Sequence, residues 1–222
     1  MEQPAIDVAA ALKTEELFFK PNGYRGLDAG ASYTILSGSI PVLVSAPHAV
    51  KHIRKGNTEP KEEDEYTGTI ARLLQESTGC WAMHAASVDL DPNFYDDCPY
   101  KHALRELVKK ERIRLIIDIH GAAEWRAFNI DLGTCRGDSL LEHSEYLDDL
   151  ITALRGEGIQ SVFVDSVFTA GAQSTVTRFA SRELGIPAVQ LEINRRLRDP
   201  ERNPVYFGVL MQGLHSFIRD LG

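Results

Sequence analysis

The run Arg112-Ile113-Arg114-Leu115-Ile116-Ile117-Asp118-Ile119-His120-Gly121-Ala122-Ala123-Glu124 decides the fold. Leu115, Ile116, Ile117 and Ile119 make a short apolar, β-branched run, which reads as a strand buried on both faces. It ends at Gly121, where a turn is cheap. Asp118 and His120 interrupt the run. Strand residues two apart share a face, so both side chains point to one side near the carboxyl end of the strand, where open α/β sheets bind ligands. Alone, the pair has a plain explanation: a strand-end histidine satisfied by its aspartate. A chemical role depends on what the rest of the chain supplies.

Working outward, residues 100–110 carry Leu104, Leu107 and Val108 at helical spacing and lead into this strand, and residues 81–88 read as the strand before them. A helix is expected to start near Asp64, since Thr67, Ile70, Ala71, Leu73 and Leu74 are helically spaced and acids in a first turn suit the helix dipole. Upstream, residues 33–36 and 41–45 are β-like and separated by Ser37-Gly38-Ser39, which predicts a hairpin; the second run leads straight into Ala46-Pro47-His48. Residues 4–19 predict a short amphipathic helix, 20–32 a Gly-rich loop and 50–63 an exposed polar loop. Downstream, residues 128–132 alternate as a strand. Leu140, Leu141, Leu147, Leu150, Ile151 and Leu154 mark a long helix that stops at Gly156 and Gly158. A strand over 161–164, a helix over 175–184, a strand over 187–193 and a final helix over 204–221 complete the chain. This alternation predicts an α/β protein, a three-layer α/β/α sandwich with a mixed, largely parallel central sheet. Without an internal repeat or linker, residues 1–222 are expected to form a single domain.

With 43% hydrophobic and 25% charged residues the chain has the composition of a globular protein, and its formal net charge of −8 disfavours nucleic acid as a partner. Cys80, Cys98 and Cys135 are odd in number and form no CxxC pair, which argues for a reducing compartment. Glu2 stands where a secretory leader would be basic, and no segment has membrane-spanning length. A cytoplasmic protein without membrane association is expected, and the sequence leaves its oligomeric state unknown.

Three polar residues share one structural address, the carboxyl ends of predicted strands: His48, His120 and Glu192. A catalytic zinc takes three protein ligands from histidine and carboxylate and keeps one position open. His48 and His120 are suitable nitrogen ligands, and the acidic patch Glu62-Glu63-Asp64 between them can supply the third. Asp118 is placed to accept a hydrogen bond from a ligand imidazole. Glu192, inside Val189-Gln190-Leu191-Glu192-Ile193, has to be buried and partnered, with Arg195 or Arg178 as a structural alternative. Among the other histidines, His52 ranks second for the site.

The order of motifs Ser45-Ala46-Pro47-His48, an acid before Tyr66-Thr67-Gly68, Asp118-Ile119-His120-Gly121 and Leu191-Glu192-Ile193-Asn194-Arg195 resembles the N-formylglutamate amidohydrolase family, whose fold is related to zinc carboxypeptidases. The resemblance runs from the early strands through the last one. It implies a phosphorylase/hydrolase-like fold and a mononuclear Zn2+ hydrolase, with His48, Asp64 and His120 as metal ligands and Glu63 as the alternative to Asp64. It makes Glu192 the general base and implies a small-molecule substrate with a carboxylate. Arginine suits such a carboxylate, which nominates Arg178 and Arg195, with Asn194 orienting the substrate.

The sequence departs from the family pattern at Asn93, which lacks the arginine that follows the central asparagine there; this bears on formylglutamate as substrate more than on hydrolysis. The leading expectation is a zinc-dependent amidohydrolase acting on a small N-acyl amino acid, N-formyl included. Its competitors are a zinc carboxypeptidase-like peptidase, a two-histidine-one-carboxylate iron site for oxygen chemistry, and a metal-binding protein without catalysis.

Overall fold

The computed structural model describes residues 7–26 and 30–222. The start of the expected N-terminal helix, residues 4–6, and residues 27–29 of the Gly-rich loop lie outside the described residues. The elements follow as α1 (Val8–Phe18), α2 (Pro21–Tyr24, one irregular turn), β1 (Tyr33–Leu36), β2 (Ile40–Ala46), α3 (Thr67–Thr78), β3 (Cys80–Ala85), α4 (Pro99–Lys110), β4 (Leu115–Ala122), β5 (Ile130–Gly133), α5 (Glu145–Gly156), β6 (Val162–Val164), α6 (Val176–Phe179), β7 (Ala188–Asn194), α7 (Arg195–Arg198) and α8 (Pro204–Asp220).

The strands form one seven-stranded sheet in the order β1-β3-β2-β4-β7-β5-β6. Its centre, β3-β2-β4-β7, is parallel, while β1 runs antiparallel to β3 and β5 antiparallel to β7. Alternate residues of the central strands feed two cores. Val44, Ile117 and Leu191 pack with Ile70 of α3, Leu150 of α5 and Leu214 of α8. Leu43, Ile116 and Ala188 pack with Leu104 of α4 and Val176 of α6 on the opposite face. The three-layer α/β/α sandwich with a mixed, largely parallel sheet is therefore the observed architecture. Among the described residues no helix is long and apolar enough to cross a membrane.

Several local expectations are corrected. The strands predicted at 33–36 and 41–45 both exist, but they do not form a hairpin, because β3 inserts between them. The chain crosses the start of β3 at Gly38, where a Cβ would lie 2.3 Å from the backbone of Cys80. The acids before Tyr66 are not in the first turn of α3, which begins at Thr67 after Tyr66 adopts a left-handed φ of 66°. The long helix expected from Leu140 begins only at Glu145, because Leu141, at φ 56°, interrupts the helical path after a short 3-10 turn. The helix over 175–184 is one α turn continued by a π-helical turn, Ala180–Leu184. Gly121 is not a turn residue: β4 runs through it, and it is small because the guanidinium of Arg198 packs where its Cβ would be, 2.7 Å away.

Candidate metal centre

One face of the sheet changes character along its strands. Leu43, Ile116 and Ala188 are core residues, and the positions two and four further on are Ser45, Asp118 with His120, and Gln190 with Glu192. The apolar half fixes register against α4 and α6, and the polar half gathers at the carboxyl edge. His120 and Glu192 are register partners on β4 and β7.

His48 follows β2, and its Nδ1 lies 3.1 Å from His120 Nδ1. Asp64 Oδ2 lies 3.3 Å from His48 Nδ1 and 3.4 Å from His120 Nδ1. The turn that delivers Asp64 is closed by its own N–H donating to His48 O at 2.8 Å and by Thr67 Oγ1 donating to Asp64 O at 2.7 Å. Glu63 is not part of this cluster, so Asp64 is the acid placed against both imidazoles.

The remaining ring nitrogens are held by carboxylates. His48 Nε2 donates to Asp91 Oδ1 at 2.8 Å. His120 Nε2 faces Asp118 Oδ2 at 3.3 Å and Asn93 Nδ2 at 3.0 Å. One protonation state cannot satisfy both neighbours of Nε2. Asn93 Oδ1 is used by Val176 N–H at 2.9 Å, which fixes its NH2 toward the ring. The Asp118 carboxylate is the stronger acceptor for the ring, which assigns the proton to Nε2. Asp118 is itself fixed by the hydroxyls of Ser45 and Thr177.

With both Nε2 atoms protonated, two Nδ1 lone pairs and a carboxylate oxygen face one another across 3.1–3.4 Å. Tetrahedral ligands 2.0–2.1 Å from zinc stand about 3.3 Å apart. The donor set therefore fits a divalent cation in both chemistry and spacing. A second group, His48, His52 and Asp91, also lies close enough to be considered. Its geometry is unsuitable: the His48 and His52 rings stack at 4.0 Å and 7°, so no point lies in both ring planes, where the lone pairs are directed. The His48 and His120 planes cross at 72°. Asp91 is also engaged by Arg54 Nε.

Electrostatics follow this arrangement. Burial opposes charge on His120, but Asp118 and Asp64 prevail and hold its pKa well above the ordinary histidine value. For His48 burial is likewise outweighed by Asp91 and Asp64, and its pKa is raised. Asp64 is pushed up by burial yet held well below the usual carboxylate range by its bonds to the two histidines. Burial lowers His52 to about 3, so this residue is a neutral ring supporting His48. Glu192, 8% exposed, is raised by burial to about 7, with His120 opposing and Asp64 adding to the rise.

A cavity of about 490 Å³ brings His48, Asp64, His120 and Glu192 onto a common wall. It does not include the expected substrate residues. Asn194 is buried, its Nδ2 donates to the carbonyls of Glu124, Arg126 and Phe128, and its Oδ1 caps α7 at Arg196 N–H. Arg195 pairs with Glu65 at 2.6 Å and Asp199 at 3.5 Å. Arg178 does not itself line the cavity, and its Nη1 donates to the carbonyl of Gln173, which does, at 3.1 Å. None of the three is among the residues that line the cavity. The cations that do line the cavity are Arg54, Lys61 and Arg126. Asp91 and Gln190 were missed, and Asn93 was noted only for lacking the arginine that follows the family's central asparagine. The signal for Gln190 was its spacing of two from Glu192.

This fold is shared with solved structures of an amidohydrolase and of a metallo-carboxypeptidase. In particular, the chain is similar to N-formylglutamate amidohydrolase from Ralstonia eutropha JMP134, with a TM-score of 0.66 at 15% identity over 86% of this chain and 97% of that one. It is also similar to a bacteriophage poly-gamma-glutamate hydrolase, with a TM-score of 0.51 at 14% identity over 88% and 90%. A metallo-carboxypeptidase from Pseudomonas aeruginosa follows, with a TM-score of 0.50 at 12% identity over 81% of this chain and 56% of that one. No family model matches the chain, and no curated protein matches it in sequence.

Proposed function

We propose that the protein is a zinc-dependent amidohydrolase that cleaves a small N-acyl amino acid, N-formyl included, or a related amide bearing a carboxylate. The observation that carries this reading is the convergence of His48 Nδ1, His120 Nδ1 and Asp64 Oδ2 within 3.4 Å, in a cavity that also holds Glu192. The fold shared with an amidohydrolase, a poly-gamma-glutamate hydrolase and a metallo-carboxypeptidase supports hydrolysis of an amide.

His48, Asp64 and His120 would hold the metal, which when bound polarises a carbonyl and lowers the pKa of a water to about 7. Asp91 and Asp118 keep the two Nε2–H tautomers, so the Nδ1 atoms stay available as donors. Glu192 takes a proton from the attacking water and returns it to the departing nitrogen; an acid near neutrality suits both halves of that transfer. Arg54, Lys61 and Arg126 make the cavity wall attractive to a substrate carboxylate.

The test combines metal analysis of the purified protein with turnover of N-acyl amino acids and short peptides. About one zinc per chain and release of a free amine from the N-acyl panel are expected; active metal-free protein would sink the reading. Cleavage of the peptides alone would favour a carboxypeptidase-like activity, consistent with the third fold relative. Bound zinc with no turnover of either set would favour a binding protein.

A further inference from the structure

Of the three cations that line the cavity, Arg126 differs from the other two in what holds it. Arg54 spends its Nε on Asp91, the carboxylate that also fixes His48 Nε2, so it belongs to the support of the metal ligands. Lys61 is exposed, and its ammonium is a point charge on a flexible stem. Arg126 is partly buried, with its guanidinium carbon 4.2 Å from the ring centre of Trp125 and 5.1 Å from that of Phe168. Among the described residues its side chain has no carboxylate partner and donates no hydrogen bond, and the adjacent acid, Glu124, faces Arg202 at 3.7 Å. Aromatic rings attract a guanidinium through its charge and supply no carboxylate to its N–H fork. Trp125 is 76% exposed, so holding Arg126 gives this ring a role outside the core.

The seat of this arginine is tied to the strands that carry and flank the candidate base. Asn194, two residues beyond Glu192 on β7, donates from Nδ2 to the carbonyl of Arg126 at 3.2 Å. Asp131, the register partner of Glu192 on β5, accepts from the N–H of Phe168 at 2.9 Å. The cavity-lining residues between His120 and Arg126 are Gly121, Ala122 and Ala123, so this segment puts no bulky side chain into the cavity between metal ligand and cation. We infer that Arg126 binds the substrate carboxylate through two N–H groups of its fork and makes the site select acids over their neutral amides. This rests on the amidohydrolase reading above and names the anchor of the same site. Two parallel N–H···O bonds supply orientation as well as charge. They hold the acid end of the substrate at Arg126 while its amide lies toward His48, Asp64 and His120, in a cavity whose volume of about 490 Å³ suits a small molecule.

The test compares N-acetyl-L-glutamate, which offers carboxylates at two distances from its amide, with N-acetyl-L-glutamine and N-acetyl-L-isoglutamine, which each lack one of them. Turnover is measured on the zinc-loaded protein, and binding by calorimetry on zinc-loaded E192Q. Loss of one of the two carboxylates is expected to cost about tenfold or more in kcat/KM and in Kd. R126Q, with folding confirmed by circular dichroism and zinc content, should bring that preference below about threefold and raise KM more than it lowers kcat. R126K keeps the charge without the fork and should bind N-acetyl-L-glutamate at least about threefold more weakly than Arg126 does. No preference with Arg126 in place, an undiminished preference in R126Q, wild-type affinity in R126K, an equal loss of preference in K61Q, or no binding of any of the three compounds overturns the proposal. W125L, at an exposed position, carries the comparison if R126Q fails to fold: acid binding should weaken about two- to fivefold, and unchanged binding overturns the proposal. Absence of turnover with a preserved, Arg126-dependent preference in binding would remove the hydrolase reading and leave the carboxylate anchor standing.

Discussion

His120 and Glu192 are register partners on the adjacent parallel strands β4 and β7, so a metal-ligand candidate and the candidate base are separated by one inter-strand spacing. That spacing is a property of the sheet, about 4.8 Å. The distance between metal chemistry and proton transfer is thereby set by backbone hydrogen bonds rather than by a loop.

Removing His120 or His48 should abolish stoichiometric zinc binding, as measured by metal analysis after gel filtration. Asp118→Asn keeps the shape but weakens the acceptor that fixes His120, and zinc affinity should fall by about ten- to a hundredfold. Unchanged affinity in D118N would mean that Asn93, not Asp118, sets the ring.

Glu192→Gln should lower turnover by about 10²–10⁴-fold while leaving zinc content intact. It also predicts a stability effect in the metal-free protein. The folded pKa of Glu192 lies at about 7, above the usual 4.5. Its favourable contribution is therefore complete below pH 4.5 and is lost as pH rises through 7. The difference corresponds to about 3 kcal/mol. Urea unfolding in chelator at pH 5 and pH 8 should show a stability change across that interval that is smaller in E192Q than in wild type.

Zinc affinity should strengthen as pH rises. The metal-free site holds His48 and His120 with raised pKa values, and protons on their Nδ1 atoms must leave before the metal binds. Competition titrations between pH 6 and 8 should give a falling Kd, with proton release detected by calorimetry in buffers of different ionisation enthalpy. A flat profile would contradict the assignment of these imidazoles.

Asp131 is buried and accepts from the backbone N–H groups of Ser166, Val167 and Phe168 at 3.1, 2.7 and 2.9 Å. It is the register partner of Glu192 on β5, and Val167 and Phe168 line the cavity. Asp131→Asn should cost about 1–3 kcal/mol in urea unfolding. It should also raise KM more than it lowers kcat, since the wall moves while the metal ligands do not.

Gly121→Ala places a methyl group against Arg198, which is anchored by Ile193 O at 3.2 Å and Glu65 O at 2.7 Å. A loss of about 1–3 kcal/mol is expected, measured by thermal or urea unfolding. No loss would mean that Arg198 can leave its anchors without cost.

The fold was legible in the sequence because its central strands carry unmixed signals. Leu115, Ile116 and Ile117, or Ala188 and Val189, are apolar on both faces, and only a strand covered on both sides accommodates that. Strand order was not legible, since the insertion of β3 between β1 and β2 depends on the close approach at Gly38, which looks from sequence like any turn glycine. His48, His120 and Glu192 stood out as polar breaks at strand ends. Asn194 could not be placed from sequence, because a polar residue after β7 looks the same whether it faces a substrate or caps α7. Arg126 escaped notice because nothing local distinguishes a cavity cation from a surface one.

The gradient along β2, β4 and β7, apolar where they meet α4 and α6 and polar where they end, divides labour along the length of each strand. For an engineer this is a modular plan: the half of each strand that holds the protein together can be left alone while the loops beyond His48, His120 and β6 are varied. Libraries confined to those loops should shift substrate preference with little change in melting temperature, whereas changes two or four residues earlier on the same face should undo the fold before they alter chemistry.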